Sequence, residues 1–128
     1  MKPLVYKKAS RKPPKPTRPV RKMHVTKGDL VVVISGDDKG KRGKVLRAIP
    51  QRQRVVVEGI AIVKRHRKAR QQGEESGIVS FPAAIAVSKV MLLDPKTDAP
   101  TRVRRRVDKD GTVERVSARS GEPIPRSR

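Results

Sequence analysis

Apolar positions along the chain fall in short runs, set apart by polar stretches rich in glycine or proline. Leu30 to Ile34 is the first, unbroken and rich in valine, which predicts a short buried strand. Ser35 to Gly43 carries three glycines and reads as a loop. Val45, Leu46 and Ile49 mark a second strand closed by Pro50, and Val55 to Val57 a third that ends at Glu58-Gly59. The connections are too short for crossover helices, so the three predict an antiparallel meander curling into a small barrel. Ile60 to Val63 continues as strand into a basic block, and Gln71 to Gly77 reads as an exposed loop or hairpin tip. Ile78 and Val79 begin a return segment that Pro82 interrupts. Val87 to Leu93 is the last long apolar stretch, stopped by Asp94-Pro95. Thr101 to Val107 and Thr112 to Ser117 then flank a turn containing Asp110-Gly111, where glycine accepts the positive φ a hairpin needs. No segment has convincing helical periodicity. The expectation is an all-β chain with tails, the end from Arg119 to Arg128 being polar and frayed.

Composition changes the picture from fold to partner. Of 128 residues, 33 are Lys or Arg and 12 Asp or Glu, a formal charge of +21. Such an excess of like charge opposes the compact state unless a polyanion neutralises it, and nucleic acid is the leading candidate. Aromatic residues are 2% of the chain and cysteine is absent, which excludes disulfides, thiolate metal sites and a cysteine nucleophile. No run reaches the roughly eighteen apolar residues of a membrane span. The charge is concentrated at the start: residues 1 to 28 hold ten Lys and Arg, five prolines and no acid. Proline removes backbone donors and disfavours helix, so an extended basic arm is expected over residues 1–22. The prolines argue against an amphipathic transit peptide, and no apolar stretch follows to make a secretory signal.

Catalysis finds little support. His24 and His66 lie among basic residues without a catalytic partner. Asp37-Asp38 could ligate magnesium, but among Gly36, Lys39, Gly40, Lys41 and Arg42 it reads as a turn with solvated charges. The same glycines lack the order of a P-loop and lead into a strand rather than a helix. No cofactor and no metal are expected. Stacking-type RNA modules need aromatic platforms, and Tyr6 and Phe81 are the only aromatic residues. The mode left is phosphate contact by Lys and Arg on loops and arms, which positions rather than reads sequence.

From Lys27 to Val45 the string KGDLVVVISGDDKGKRGKV resembles the KOW motif, with Gly28, Asp29, Gly36, Lys39, Gly40, Gly43 and Val45 matching in order. Gly28, Gly36, Gly40 and Gly43 are the expected structural turn positions, where a side chain would obstruct the turn or a close approach of RNA. Further on, VVVEGIAIVKRH (Val55 to His66), SGIVSFPAAIAVSKVMLLDP (Ser76 to Pro95) and TRVRRRVDKDGTVERVS (Thr101 to Ser117) resemble successive stretches of the bacterial-type large-subunit ribosomal protein L-twenty-four, a universal family. The resemblance runs in order from Met23 to Ser117. It departs from the pattern at Ala61, Ala69, Ser76, Pro82 and Lys89, which lie mostly in or beside the hairpin.

The resemblance implies an SH3-like barrel over residues 23–95 with a protruding hairpin at 64–80, then a basic C-terminal β-hairpin and tail over 96–128. It implies a structural constituent of the large subunit, a monomer within the ribosome. The family binds large-subunit rRNA near its 5′ end, supports early assembly and places its hairpin at the tunnel exit. Carried onto this chain, the rRNA-binding residues would be Lys27, Lys39, Lys41, Arg42 and Lys44 in and around the motif loops. Lys64, Arg65, His66, Arg67, Lys68 and Arg70 would form the hairpin stem, and Arg102, Arg104, Arg105 and Arg106 a further strand. Expected partners are rRNA, neighbouring large-subunit proteins, and the nascent chain or exit-site factors. The expected location is the cytoplasmic ribosome, or alternatively an organellar one. The rivals are a transient KOW-type transcription or translation factor, a nucleoid-type DNA condenser, and an enzyme using Asp37 and Asp38 with a metal.

Overall fold

Valine dominates the interior. Of nine core residues, seven are valine (Val25, Val31, Val33, Val45, Val55, Val57, Val90), joined by Ile60 and Leu92. Branching at Cβ suits these side chains to a pleated surface, and burying each contributes about 1.5–3 kcal/mol. The computed structural model, which describes residues 19–69, 72, 73 and 76–126, is accordingly all-β. Its strands are β1 (Leu30–Val33), β2 (Arg42–Ile49), β3 (Arg54–Val57), β4 (Ile62–Arg67), β5 (Gly77–Pro82), β6 (Ala84–Ala86), β7 (Val90–Leu93), β8 (Pro100–Thr101), β9 (Val103–Val107) and β10 (Val113–Ser117). Residues 1–18 of the expected arm, Arg70, residues 71, 74 and 75 of the expected tip, and residues 127–128 lie outside the described set.

Six strands form one sheet in the order β6-β3-β2-β1-β7-β8, and every described pairing in it is antiparallel. This is the expected meander, as an open sheet consistent with an SH3-like small β fold. The registers Val31↔Gly43 and Val45↔Val57 bring β1, β2 and β3 together at the core, and the register shifts between Val45 and Arg47, a bulge that bends β2. Two further two-stranded sheets project from this unit: β4 with β5, and β9 with β10.

Four expectations change. Gly43 belongs to strand β2, not to the preceding loop. An added Cβ there would lie 2.6 Å from the Glu58 carbonyl oxygen and 2.8 Å from Val57 Cγ1, so this glycine serves close strand packing instead of a turn. Ile60 and Ala61 are not strand: Ala61 turns left-handed at φ 53°, which drops Ile60 into the core before β4 begins. Val87–Lys89 forms a 3-10 turn that redirects the chain into β7.

The fourth change concerns the end of the chain, which folds back instead of fraying. Ser117 N–H donates to the Glu122 carbonyl at 2.8 Å and Ile124 N–H to the Arg115 carbonyl at 2.7 Å. Ile124 is thereby buried, and Pro123 bridges Val116. A single apolar side chain among polar neighbours gives no periodic signal, so the sequence reads as tail.

Candidate nucleic-acid interface

The expected basic residues fall in three places. The first is the loop between β1 and β2. Gly36 and Gly40 adopt φ of 100° and 87°, conformations that L side chains rarely adopt, and this closes the loop on itself. Gly40 N–H donates to the Val33 carbonyl at 2.8 Å and Val33 N–H to the Lys41 carbonyl at 3.0 Å. Lys39 is thus held out at the loop's turn, exposed. Alternation along β2 points Val45 inward and sends Arg42 and Lys44 outward, opposite Val32 and Leu30. Lys27 is also exposed, in the turn before Gly28, whose N–H donates to the Val45 carbonyl at 2.8 Å with φ at 88°.

The acidic pair in this loop divides its roles. Asp38 accepts a hydrogen bond from Lys41 Nζ and another from the Ala61 N–H at 2.8 Å. Lys41, and then the Ala61 N–H, hold its carboxyl below the usual carboxylate range. Asp38 therefore braces the loop against the root of the β4–β5 hairpin, a use that the turn reading of Asp37-Asp38 did not include. Among the described residues, no group of three His, Asp or Glu side chains could hold a metal ion.

The second place is the β4–β5 hairpin, where Lys64, Arg65, His66, Arg67 and Lys68 are all exposed. The register Val63↔Phe81, Arg65↔Val79 and Arg67↔Gly77 puts these residues on one face, while Ile62, Lys64, His66, Ile78, Ser80 and Pro82 occupy the other.

The third place is the C-terminal hairpin. Arg104, Arg105 and Arg106 line β9 and are exposed; Arg102 is exposed too, but sits between β8 and β9, outside any strand. Arg106 is engaged within its own hairpin, 3.0 Å from Glu114 and 3.5 Å from Asp108. Arg102, Arg104 and Arg105 make no ion pair among the described residues. Lys41 and Arg42 are also partly neutralised, the latter by Asp98 at 3.7 Å.

What joins the third place to the first is a residue that the sequence reading passed over. Arg115, on β10, is buried and forks onto Asp29 at the start of β1, Nη1 to Oδ2 at 2.7 Å and Nη2 to Oδ1 at 3.0 Å. The same guanidinium donates to the carbonyls of His24 (3.0 Å) and Pro125 (2.9 Å). Asp29 also accepts from the Thr26 N–H and hydroxyl. One side chain thus ties the motif's first acid, the segment before it and the tail into a single joint. Strand alternation offered no clue, since Arg115, Val116 and Ser117 are buried in succession.

Comparison with known proteins agrees in extent with these elements. The family model described as "Large ribosomal subunit protein uL24, C-terminal domain" matches residues 60–124. The KOW motif matches residues 27–58. The large ribosomal subunit protein uL24 of Macrococcus caseolyticus (strain JCSC5402) is 58% identical over 102 residues, which cover 80% of this chain and 99% of that protein. The proteins of the same name in Staphylococcus aureus strains JH9 and Newman are each 53% identical over 102 residues, covering 80% of this chain and 96% of theirs.

Proposed function

The chain belongs to the uL24 family of large ribosomal subunit proteins, a structural and non-enzymatic family, and on that premise we propose that it binds large-subunit rRNA near the rRNA's 5′ end and supports early assembly of the subunit. Its place is the cytoplasmic ribosome, as a single copy among neighbouring large-subunit proteins. The observation that carries this reading is the consecutive match of the two family models, residues 27–58 and 60–124, across every strand described. A transient KOW factor would account for the first match and leave the second unexplained.

The mechanism is electrostatic positioning. The three basic places meet rRNA phosphates, each contact releasing condensed counterions, while the valine core and the Asp29–Arg115 joint keep the places at fixed separations. The arm over residues 1–22 adds nine further Lys and Arg to meet rRNA phosphates. The β4–β5 hairpin stands at the polypeptide tunnel exit, where the nascent chain and exit-site factors are its neighbours.

Protein-to-rRNA crosslinking mapped by sequencing, in cells at native expression, tests the reading. Crosslinks clustered in one region near the 5′ end of the large-subunit rRNA are expected. Crosslinks scattered over nascent transcripts or DNA would overturn it.

A further inference from the structure

Phe81 is the only Phe, Tyr or Trp among the described residues, and it lies outside the core cluster. It is 38% exposed on β5, directly opposite Val63 (40%) and on the same face as Val79 (44%). Each of the three keeps about two-fifths of its surface in water, and that part forgoes the stabilisation of burial. The same face carries Arg65 and Arg67 on β4, and Phe81 and Val79 together with Arg65, His66, Arg67 and Lys68 line one open depression. Arg65, opposite Val79, is one diagonal step from Phe81, a separation of about 7–8 Å that long and aromatic side chains span.

We propose that this face of the β4–β5 hairpin is a stacking site for one unpaired rRNA nucleotide, its base on the Phe81 ring and its flanking phosphates on Arg65 and Arg67. The inference rests on the rRNA-binding reading and adds to it a contact that depends on an aromatic face, not on charge alone. One ring cannot make a stacking module, but it is enough for one nucleotide.

Three observations select this occupant. The apolar floor consists of one ring flanked by two valines, a single aromatic face. The two arginines on the face are two residues apart along β4, about 6.6 Å at the usual strand rise, which is of the order of the spacing of neighbouring phosphates. The stem residues Lys64, Arg65, Arg67 and Lys68 are cations, which complements an RNA backbone. Arginine and an aromatic ring side by side are also the combination that holds unstacked bases in single-stranded and looped RNA.

The chain contains no tryptophan, so Phe81→Trp in the full-length protein gives a single indole reporter at the site. Titration with a transcript of the 5′ domain of large-subunit rRNA should quench that fluorescence in step with binding measured by filter retention. Phe81→Ala and Phe81→Leu should each weaken binding at least about fivefold, with the salt dependence unchanged, while Phe81→Tyr keeps the wild-type affinity. Each variant's thermal melting confirms that the hairpin change leaves the fold intact. Equal affinity in the Ala variant with an unquenched indole would overturn the proposal while leaving rRNA binding standing, and would give the face to a protein or a nascent peptide. Recovery by Leu to wild-type affinity would also overturn it, because leucine supplies apolar area without a ring face. Absence of any binding by the wild-type chain at low salt would instead bring down the rRNA reading together with this one.

Discussion

Two buried carboxylates carry most of the residue-scale chemistry, and they act in different ways. Asp29 is paired with a charge. Removing one partner of a buried pair strands the other, at a cost of about 3–5 kcal/mol. Arg115 also satisfies the His24 and Pro125 carbonyls, so Arg115→Met should destabilise more than Asp29→Asn, and Arg115→Lys should not rescue, since an ammonium cannot fork across these acceptors. Urea unfolding of the three variants checks the order. Asp94, fully buried after β7, faces hydroxyls instead. Burial pushes its carboxyl up, but hydrogen bonds from Thr97 and Ser120, the Lys96 N–H and Ser117 outweigh that and hold it below its ordinary value of 3.8. A carboxyl lowered in the folded state stabilises the fold above its unfolded pKa, and that stabilisation is lost as pH falls from about 4 through the folded value. The stability difference between wild type and Asp94→Asn should therefore shrink steadily on acidification below about pH 4. A difference that stays constant with pH would show that the hydroxyl cage, and not the carboxylate charge, is what the site supplies.

At the scale of elements, the question is how a two-stranded hairpin with both faces in solvent keeps its direction. An isolated pair of strands is marginal in water. At the root of β4–β5, the Ala61 carbonyl accepts from the Ala83 N–H at 2.9 Å and its own N–H donates to Asp38, so the loop of the motif holds the hairpin at its base. Asp38→Ala should speed amide hydrogen exchange at Ala61 and along Ile62–Arg67 by about tenfold, corresponding to one lost hydrogen bond to a charged group, while β1 exchanges as before. Uniform acceleration across β1 would mean the brace supports the whole sheet. This coupling marks where the sequence was legible and where it was not. Leu30–Val33 and Val55–Val57 could be read because continuous valine runs admit one interpretation. The hairpin could be read from its basic block and polar tip. Gly43 looked like one more loop glycine, because a glycine's neighbours in space, Glu58 and Val57, are not its neighbours in sequence. Arg115 was hidden for the same reason: its partner lies 86 residues away. The exposed ring at Phe81 was visible as a residue, but only the register with Val63 and Arg65 gives it a face.

For the molecule as a whole, a net charge of +21 has to be reconciled with a core cluster that, among the described residues, numbers nine apolar side chains. That core is modest, and self-repulsion works against it, so the bound state on a polyanion is the state this sequence is suited to. The charges are not equivalent within it. Among the described residues Lys39 makes no ion pair at the loop turn, whereas Lys41 is already paired with Asp38 and Arg42 lies near Asp98. Only a charge that meets a phosphate in place of a counterion contributes to the salt slope, about one unit per contact. Lys39→Gln should therefore flatten the dependence of log K on log salt by about one unit, and Lys41→Gln by distinctly less. The loss from Lys39→Gln should also shrink between about 50 and 200 mM salt, as expected of a contact made by counterion release. Equal slopes for wild type and both variants would turn the motif loop toward solvent and leave the hairpin, the C-terminal arginines and the arm as the charges that hold the RNA.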